Sequence, residues 1–369
     1  MATIPKHMKA VVFNGPYDIT TEDRPTPRVK EPTDVLLKVK YSGLCGTDLH
    51  TYRGHINSAV KGQIIGHEFV GTIVEKGTLL TDSDFEIGDE VISTFTTQCG
   101  ECWYCLHKCS GSCTKTNTFG KPGLDGGQAE YVLVPNAKNT IIKKPQNTDW
   151  KDDSVYVLMA DIFVTGYYGV QKIINYVKSD PSMSNVDYSD VRILQLGVGP
   201  VGLCALRILT YLGFKNVVCV DSVHTRLQEA KQFGASQIIN YEETPKYLED
   251  LIKQQNDGVG FDVCLEVVGA TSSLRTAYDA LRRNGFLCSL GMAHDDLPFN
   301  GLDCYIKNVN LSFGRCHVWS YFKEALEVFE VLKTEFAHFI DYKATIDDSS
   351  NAFDLFDSHK VNKVVFEFK

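Results

Sequence analysis

Up to about residue 160 the apolar positions fall in short runs broken by Gly, Pro and Asp. "KAVVF", "DVLLKVKYSG", "EFVGTIVEKG", "DEVIST" and "AEYVLVP" are such runs. Their length and flanking turn formers predict the strands of a β-rich, barrel-like domain. The polar, proline-containing segment "SDPSMSNVDYSD" predicts a loop. Beyond it the rhythm changes. "VRILQLG", "NVVCVD", "FDVCLEVVG", "GFLCSLG" and "NLSFGRC" read as buried strands. Between them "PVGLCALRILTYLG", "SVHTRLQEAKQFGA" and "SSLRTAYDALRRNG" carry helical spacing of apolar residues and end on glycine. Strand–helix alternation predicts an α/β region, a parallel sheet with helices on both faces. The chain closes with a helix, "YFKEALEVFEVLKT", and a strand, "NKVVFEF".

The turn between the first of these strands and its helix carries chemistry. "LQLGVGPVGL" holds Gly197, Gly199 and Gly202 as G-x-G-x-x-G, and Asp221 follows at the end of the next strand. In that context the pattern points to a dinucleotide site. Gly197 permits the tight turn, Gly199 admits a pyrophosphate, and Gly202 allows helix and strand to pack closely. The helix N-terminus favours phosphate. Asp221 can accept hydrogen bonds from ribose hydroxyls and repels a 2′-phosphate, so NAD(H) is expected over NADP(H). Arg226 either flanks the ribose or belongs to the salt-laced helix surface.

Composition narrows the classes. The 369 residues suit two domains, and 43% hydrophobic with 22% charged is an ordinary globular balance. A net charge of -9 argues against holding nucleic acid. No apolar run is long enough to span a bilayer, so no membrane partner is expected. The N-terminal residues carry no secretory or transit pattern, and a cytoplasmic protein is expected. In a reducing compartment, clustered members of the 12 cysteines read as metal ligands rather than disulfides.

Cys99, Cys102, Cys105 and Cys113 stand as C-x2-C-x2-C-x7-C. Four thiolates on one short lobe fit a closed, structural zinc site, with a rubredoxin-like iron site as the competing occupant. Cys109 is the spare, and the neighbouring His107 is an alternative ligand. Upstream, "GLCGTDLH" and "GHEFVG" place Cys45 and His67 on separate glycine-flanked turns. The two can converge on a second zinc, or each can be a structural residue.

"GHEFVGTIVEKG", the four-cysteine spacing, "GGQAEYVLVP" and the dinucleotide turn, in that order, give the chain a resemblance to the medium-chain, zinc-dependent alcohol dehydrogenases, in a branch like the secondary-alcohol and formaldehyde dehydrogenases. The resemblance covers nearly the whole chain. It implies a GroES-like catalytic domain over residues 1–164, a Rossmann domain over 165–314, and a return to the catalytic domain over 315–369. It further implies two zinc ions per chain. Cys45, His67 and Asp161 would hold the catalytic one, with Glu68 beside it. The family's third ligand is a cysteine, aspartate or glutamate, and an aspartate at 161 departs from the two-cysteine, one-histidine set. Thr47 and His50 would relay the substrate proton, and Asp48 would fix the His67 tautomer. Phe95 would wall the substrate pocket, Thr165 would touch nicotinamide, and Lys363 would meet the cofactor pyrophosphate. The short segment after Cys113 resembles that of the often tetrameric members, so a homo-oligomer, tetramer or dimer, is expected.

The function this implies is reversible hydride transfer between NAD(H) and small secondary alcohols or ketones. Formaldehyde, primary-aldehyde and polyol dehydrogenases differ from it only in pocket shape. A zinc-stabilised, nucleotide-binding redox sensor without turnover is the reading from another class. Joint presence of Cys45, His67, Asp161, Thr47 and His50 argues against it.

Overall fold

The computed structural model describes residues 3–146, 152–244, 246–254, 258–293 and 295–369. It divides into two compact units, Met1–Val164 with His317–Lys369, and Thr165–Cys316.

In the first unit, the described residues form a sheet in the order Tyr342–Ala344, Val364–Glu367, Val35–Gly43, Glu68–Lys76, Glu90–Ser93 and Ile141–Lys143, with Tyr131–Val134 also pairing on Val35–Gly43. The antiparallel register sets Gly43 opposite Glu68 and Val365 opposite Gly43. It therefore gathers the chain just before Cys45, the chain around His67 and the C-terminal strand at one sheet end. Val35, Leu37, Val39, Phe69, Ile73 and Val91 pack into one apolar core beneath it. At about 25 cal/mol per Å² of apolar surface, such side chains contribute roughly 1.5–3 kcal/mol each. A smaller sheet pairs His7–Gly15 with Asp18–Pro25 and Gln63–Ile64. The polar run Asp18–Pro25 carries no strand signal in the sequence, because as an edge strand it buries mainly Ile19 and owes its form to backbone pairing along His7–Gly15.

The second unit holds a parallel sheet in the order Gln237–Asn240, Asn216–Asp221, Arg192–Leu196, Phe261–Glu266, Leu281–Ser289 and Asn310–Phe313. In chain order this is 3-2-1-4-5-6, the doubly wound dinucleotide-binding arrangement, whose switch point adjoins the first strand. The helix read as running to Gly285 ends at Ala280, and Leu281–Ser289 is already strand. Leu281 is buried opposite Phe261, Arg282 Nε donates to Asp262 at 2.6 Å, and Asn284 turns with φ 59°. Tertiary pairing overrides helical propensity there. Among the described residues no helix is long and apolar enough to cross a membrane.

Candidate active site and metal centres

Cys45 is the residue before the short helix Gly46–Tyr52. His67 and Glu68 sit where the strand Glu68–Lys76 begins, and Asp161 follows the buried 3-10 turn Asp153–Ala160. These three places in the fold bring one ligand atom each from Cys45, His67, Glu68 and Asp161 within 4.8 Å of one another. His67 Nε2 lies 3.3 Å from Asp161 Oδ2. Two donors on one tetrahedral zinc, at bonds of about 2.0–2.2 Å, stand about 3.4 Å apart. His67 Nε2 and Glu68 Oε1 are buried without a hydrogen-bond partner. Orphaned polar atoms cost about 1–3 kcal/mol each, which a bound cation offsets. Thiolate, imidazole and carboxylate form a donor set suited to zinc.

Around this cluster the support is dense. Asp48 accepts from His67 Nδ1 at 3.0 Å and from the Cys45 backbone N–H at 3.0 Å. The Nδ1–H bond leaves the Nε2 lone pair facing the cluster. Burial opposes the imidazolium, but Asp48, then Asp161 and Cys45, hold the His67 pKa well above its ordinary value. Burial pushes the Cys45 thiol up, with Glu68 adding to it. Phe95 is buried and turns an edge towards the His67 ring, centroids 6.2 Å apart. Thr47 lies half-buried on the helix Gly46–Tyr52, and its hydroxyl makes no hydrogen bond among the described residues. His50, on the same helix, has its ring 5.9 Å from that of His55.

Lys363 requires correction. The expected pyrophosphate contact is replaced by complete burial inside the first unit, where Nζ pairs with Glu68 Oε2 and donates to the Leu44 carbonyl at 3.0 Å. The strand Val364–Glu367 runs beside Val35–Gly43 and carries the lysine to Glu68. Sequence position alone could not reveal this, because the pairing bridges 295 residues.

The cysteine lobe is a second centre. Cys99, Cys102, Cys105 and Cys113 group together, with Sγ separations of 3.5, 3.6 and 4.0 Å. Sulfurs on one tetrahedral zinc, at about 2.3 Å each, lie about 3.8 Å apart. Backbone N–H groups of Cys99, Cys102 and Lys115 donate to Cys113, Cys99 and Cys113 sulfurs at 3.3, 3.4 and 3.3 Å, which stabilises thiolate charge. The lobe is tied to the C-terminal segment through Gly111 N–H to His317 Nδ1 at 3.1 Å and Ser110 N–H to Ser320 Oγ at 3.2 Å. His107 stacks on Trp103 instead, and neither it nor Cys109 joins the four sulfurs. Cys109→Ser is therefore expected to leave metal content and thermal midpoint unchanged, checked by elemental analysis and calorimetry.

In the second unit, the strand Arg192–Leu196 ends in Gly197 at φ 91°, a backbone region that disfavours other residues. A Cβ on Gly202 would lie 2.3 Å from the Gly197 carbonyl oxygen, so helix and turn touch only because it is absent. Gly199 caps the helix Pro200–Tyr211. Asp221 accepts from the backbone N–H groups of Val198 at 2.8 Å, Ser222 at 2.8 Å and Val223 at 2.9 Å. That ties the end of the second strand to the glycine turn. Arg226 resolves towards this turn: Nη1 lies 3.8 Å from where a Gly199 Cβ would stand. Thr165 lies on the helix Ile162–Ser179.

A pair of metal-suited clusters on a β-rich unit, with a dinucleotide-type turn on a parallel sheet, defines a zinc-type oxidoreductase. Residues 31–146 match the alcohol dehydrogenase GroES-like domain, and residues 200–331 match the zinc-binding dehydrogenase domain. Zinc-type alcohol dehydrogenase B of Aspergillus flavus is 38% identical over 98% of this chain and 81% of its own length. Medium chain reductase/dehydrogenase ucsI of an Acremonium species is 40% identical over 82% of this chain and 99% of its own. The solved alcohol dehydrogenase TADH from Thermus sp. ATN1 superposes with a TM-score of 0.86 at 27% identity, covering 98% of this chain and 100% of that one. The chain belongs to the medium-chain, zinc-dependent alcohol dehydrogenase family.

Proposed function

We propose that the chain is an NAD(H)-dependent dehydrogenase of small secondary alcohols and the corresponding ketones. The observation that carries this reading is the convergence of Cys45, His67 and Asp161 with an orphaned imidazole nitrogen at its centre. Those three residues would hold a catalytic zinc, and Cys99, Cys102, Cys105 and Cys113 a structural one. When bound, the catalytic zinc supplies a Lewis acid that polarises the alcohol or carbonyl oxygen, and NAD(H) supplies the hydride chemistry.

The residues of the chain do the rest. Asp48 keeps His67 in the tautomer that offers Nε2. Thr47, whose hydroxyl both donates and accepts, passes the substrate proton outward, and His50 exchanges it with water. Phe95 excludes water beside His67. Gly199 admits the pyrophosphate at the turn that Gly197 and Gly202 shape, Asp221 receives the ribose, Arg226 flanks the phosphate turn, and Thr165 contacts nicotinamide. A homo-oligomer is supported by the edge strand Asn310–Phe313, where Leu311 and Phe313 are exposed, and by the exposed Leu302, Tyr305 and Ile306 on the preceding helix Gly301–Lys307.

The test follows absorbance at the NADH band with secondary alcohols, ketones, polyols and aldehydes, with and without chelator. Chelator-sensitive turnover of secondary alcohols is expected. No turnover with any of these would favour the non-catalytic sensor, and selective turnover of formaldehyde or polyols would move the substrate class. Asp221→Ser is expected to reduce the kcat/KM preference for NAD+ over NADP+ by about tenfold or more, because removing a carboxylate removes like-charge repulsion of the 2′-phosphate. Steady-state kinetics with both cofactors check it.

A further inference from the structure

Lys121 is a half-buried ammonium that nothing above employs. Its one hydrogen bond among the described residues goes to a neutral group, the Thr51 hydroxyl, at 2.7 Å. No described carboxylate stands within ion-pair distance of it. The deeply buried lysines of this unit differ. Lys144 pairs with Glu90 and Asp153, Lys333 with Glu330, and Lys363 with Glu68. An ammonium carries three donors, and even partial desolvation without an anionic partner is costly.

The position of Lys121 is tightly set. The preceding Gly120 lies so close to the chain before His67 that a Cβ there would stand 2.8 Å from the Gly66 nitrogen. Phe119 N–H donates to the Phe95 carbonyl at 3.1 Å. The segment bearing Lys121 thus runs between Phe95 and Gly66. Thr51, which receives the ammonium, is one helical turn beyond Thr47 on the helix Gly46–Tyr52, so the two hydroxyl residues share a face. Burial draws the Lys121 pKa down, with Asp48 and then Cys45 opposing it.

We propose that Lys121 is a specificity residue that binds a carboxylate carried by the alcohol substrate, making hydroxy acids a preferred substrate class. The inference rests on the dehydrogenase reading. A single ammonium with two donors left after Thr51 matches a monoanion, whereas a phosphate dianion calls for more donors than this one side chain offers.

The experiment uses the full-length, zinc-loaded protein with NAD+ and compares 3-hydroxybutyrate, butane-1,3-diol and butan-2-ol, which share the methyl carbinol. Wild type is expected to prefer 3-hydroxybutyrate in kcat/KM. Lys121→Met is expected to lower the ratio of 3-hydroxybutyrate to butan-2-ol by about tenfold or more, mainly through KM, and Lys121→Arg to retain most of it. A ratio unchanged by Lys121→Met overturns the proposal, as does a wild-type preference for the diol over the acid. Calorimetric titration of 3-hydroxybutyrate into the zinc- and NAD+-loaded protein separates the two readings. Turnover absent with all three but binding lost in Lys121→Met retains the anion site and sinks the dehydrogenase reading. Turnover of butan-2-ol with no binding of 3-hydroxybutyrate does the reverse. Absence of both turnover and binding overturns both. Circular dichroism confirms that Lys121→Met is folded.

Discussion

Asp161→Ala is expected to lower zinc from two ions per chain to one and to cut alcohol turnover by roughly a thousandfold or more, about 4 kcal/mol of barrier. The reason lies in the geometry of the cluster. Asp161 Oδ2 stands 3.3 Å from His67 Nε2, and the remaining donors nearby are Cys45 and Glu68, the latter held by Lys363. Without the carboxylate, two firm donors are left where a catalytic zinc needs three. The four-cysteine lobe shares no donor with this cluster, so its ion should remain. Elemental analysis then reads one zinc, and two would overturn the assignment. Asp161→Cys is the informative companion, because a thiolate is an equally competent zinc donor and should restore the second ion. Acid should act in the same direction as the deletion. The surrounding carboxylates raise the proton affinity of His67, and burial raises that of the Cys45 thiol. Zinc must displace both protons, so its affinity falls as pH falls.

Much of this site is written locally in the chain. The four-cysteine spacing and the G-x-G-x-x-G turn lie within short windows, and the fold only has to close them. Cys45 and Asp48 are three residues apart on one helical start, so their mutual support is also local. The convergence of Cys45, His67 and Asp161 is another matter. It depends on the sheet register that sets Gly43 opposite Glu68 and on the buried turn before Asp161, neither of which a local sequence window carries; only the family resemblance joins the three. Lys121 and Lys363 were not legible in their actual surroundings. A lysine in a glycine- and proline-rich loop, or in front of a short strand, looks solvated in any sequence window. Its burial is decided by segments far away, Thr51 in one case and Glu68 in the other. The edge strand Asp18–Pro25 escaped for the same physical reason, since backbone pairing leaves no hydrophobic pattern behind.

Lys363→Met should produce the largest loss of stability, about 3–5 kcal/mol at neutral pH by urea denaturation. Lys363 and Glu68 are both fully buried, and Nζ makes its bonds to Glu68 and to the Leu44 carbonyl. Methionine replaces the stem but leaves the buried Glu68 carboxylate without its ammonium partner. Burial already pushes the Glu68 carboxyl above its ordinary range, with Lys363 as the first opposing influence. Removing the ammonium raises it further, so the folded variant takes up a proton that the unfolded chain releases at ordinary carboxylate pKa. A group whose folded pKa is raised contributes less stability as pH rises through that value. The defect should therefore be larger at pH 8 than at pH 5. The double change Glu68→Gln with Lys363→Met removes both charges and should recover most of the loss, since a buried ion pair often contributes little against a neutral replacement. If the single variant loses less than about 1 kcal/mol, or its defect ignores pH, Glu68 is not the buried charge that Lys363 compensates. If the double variant is as unstable as the single one, the lysine acts through Leu44 and the C-terminal strand rather than through Glu68.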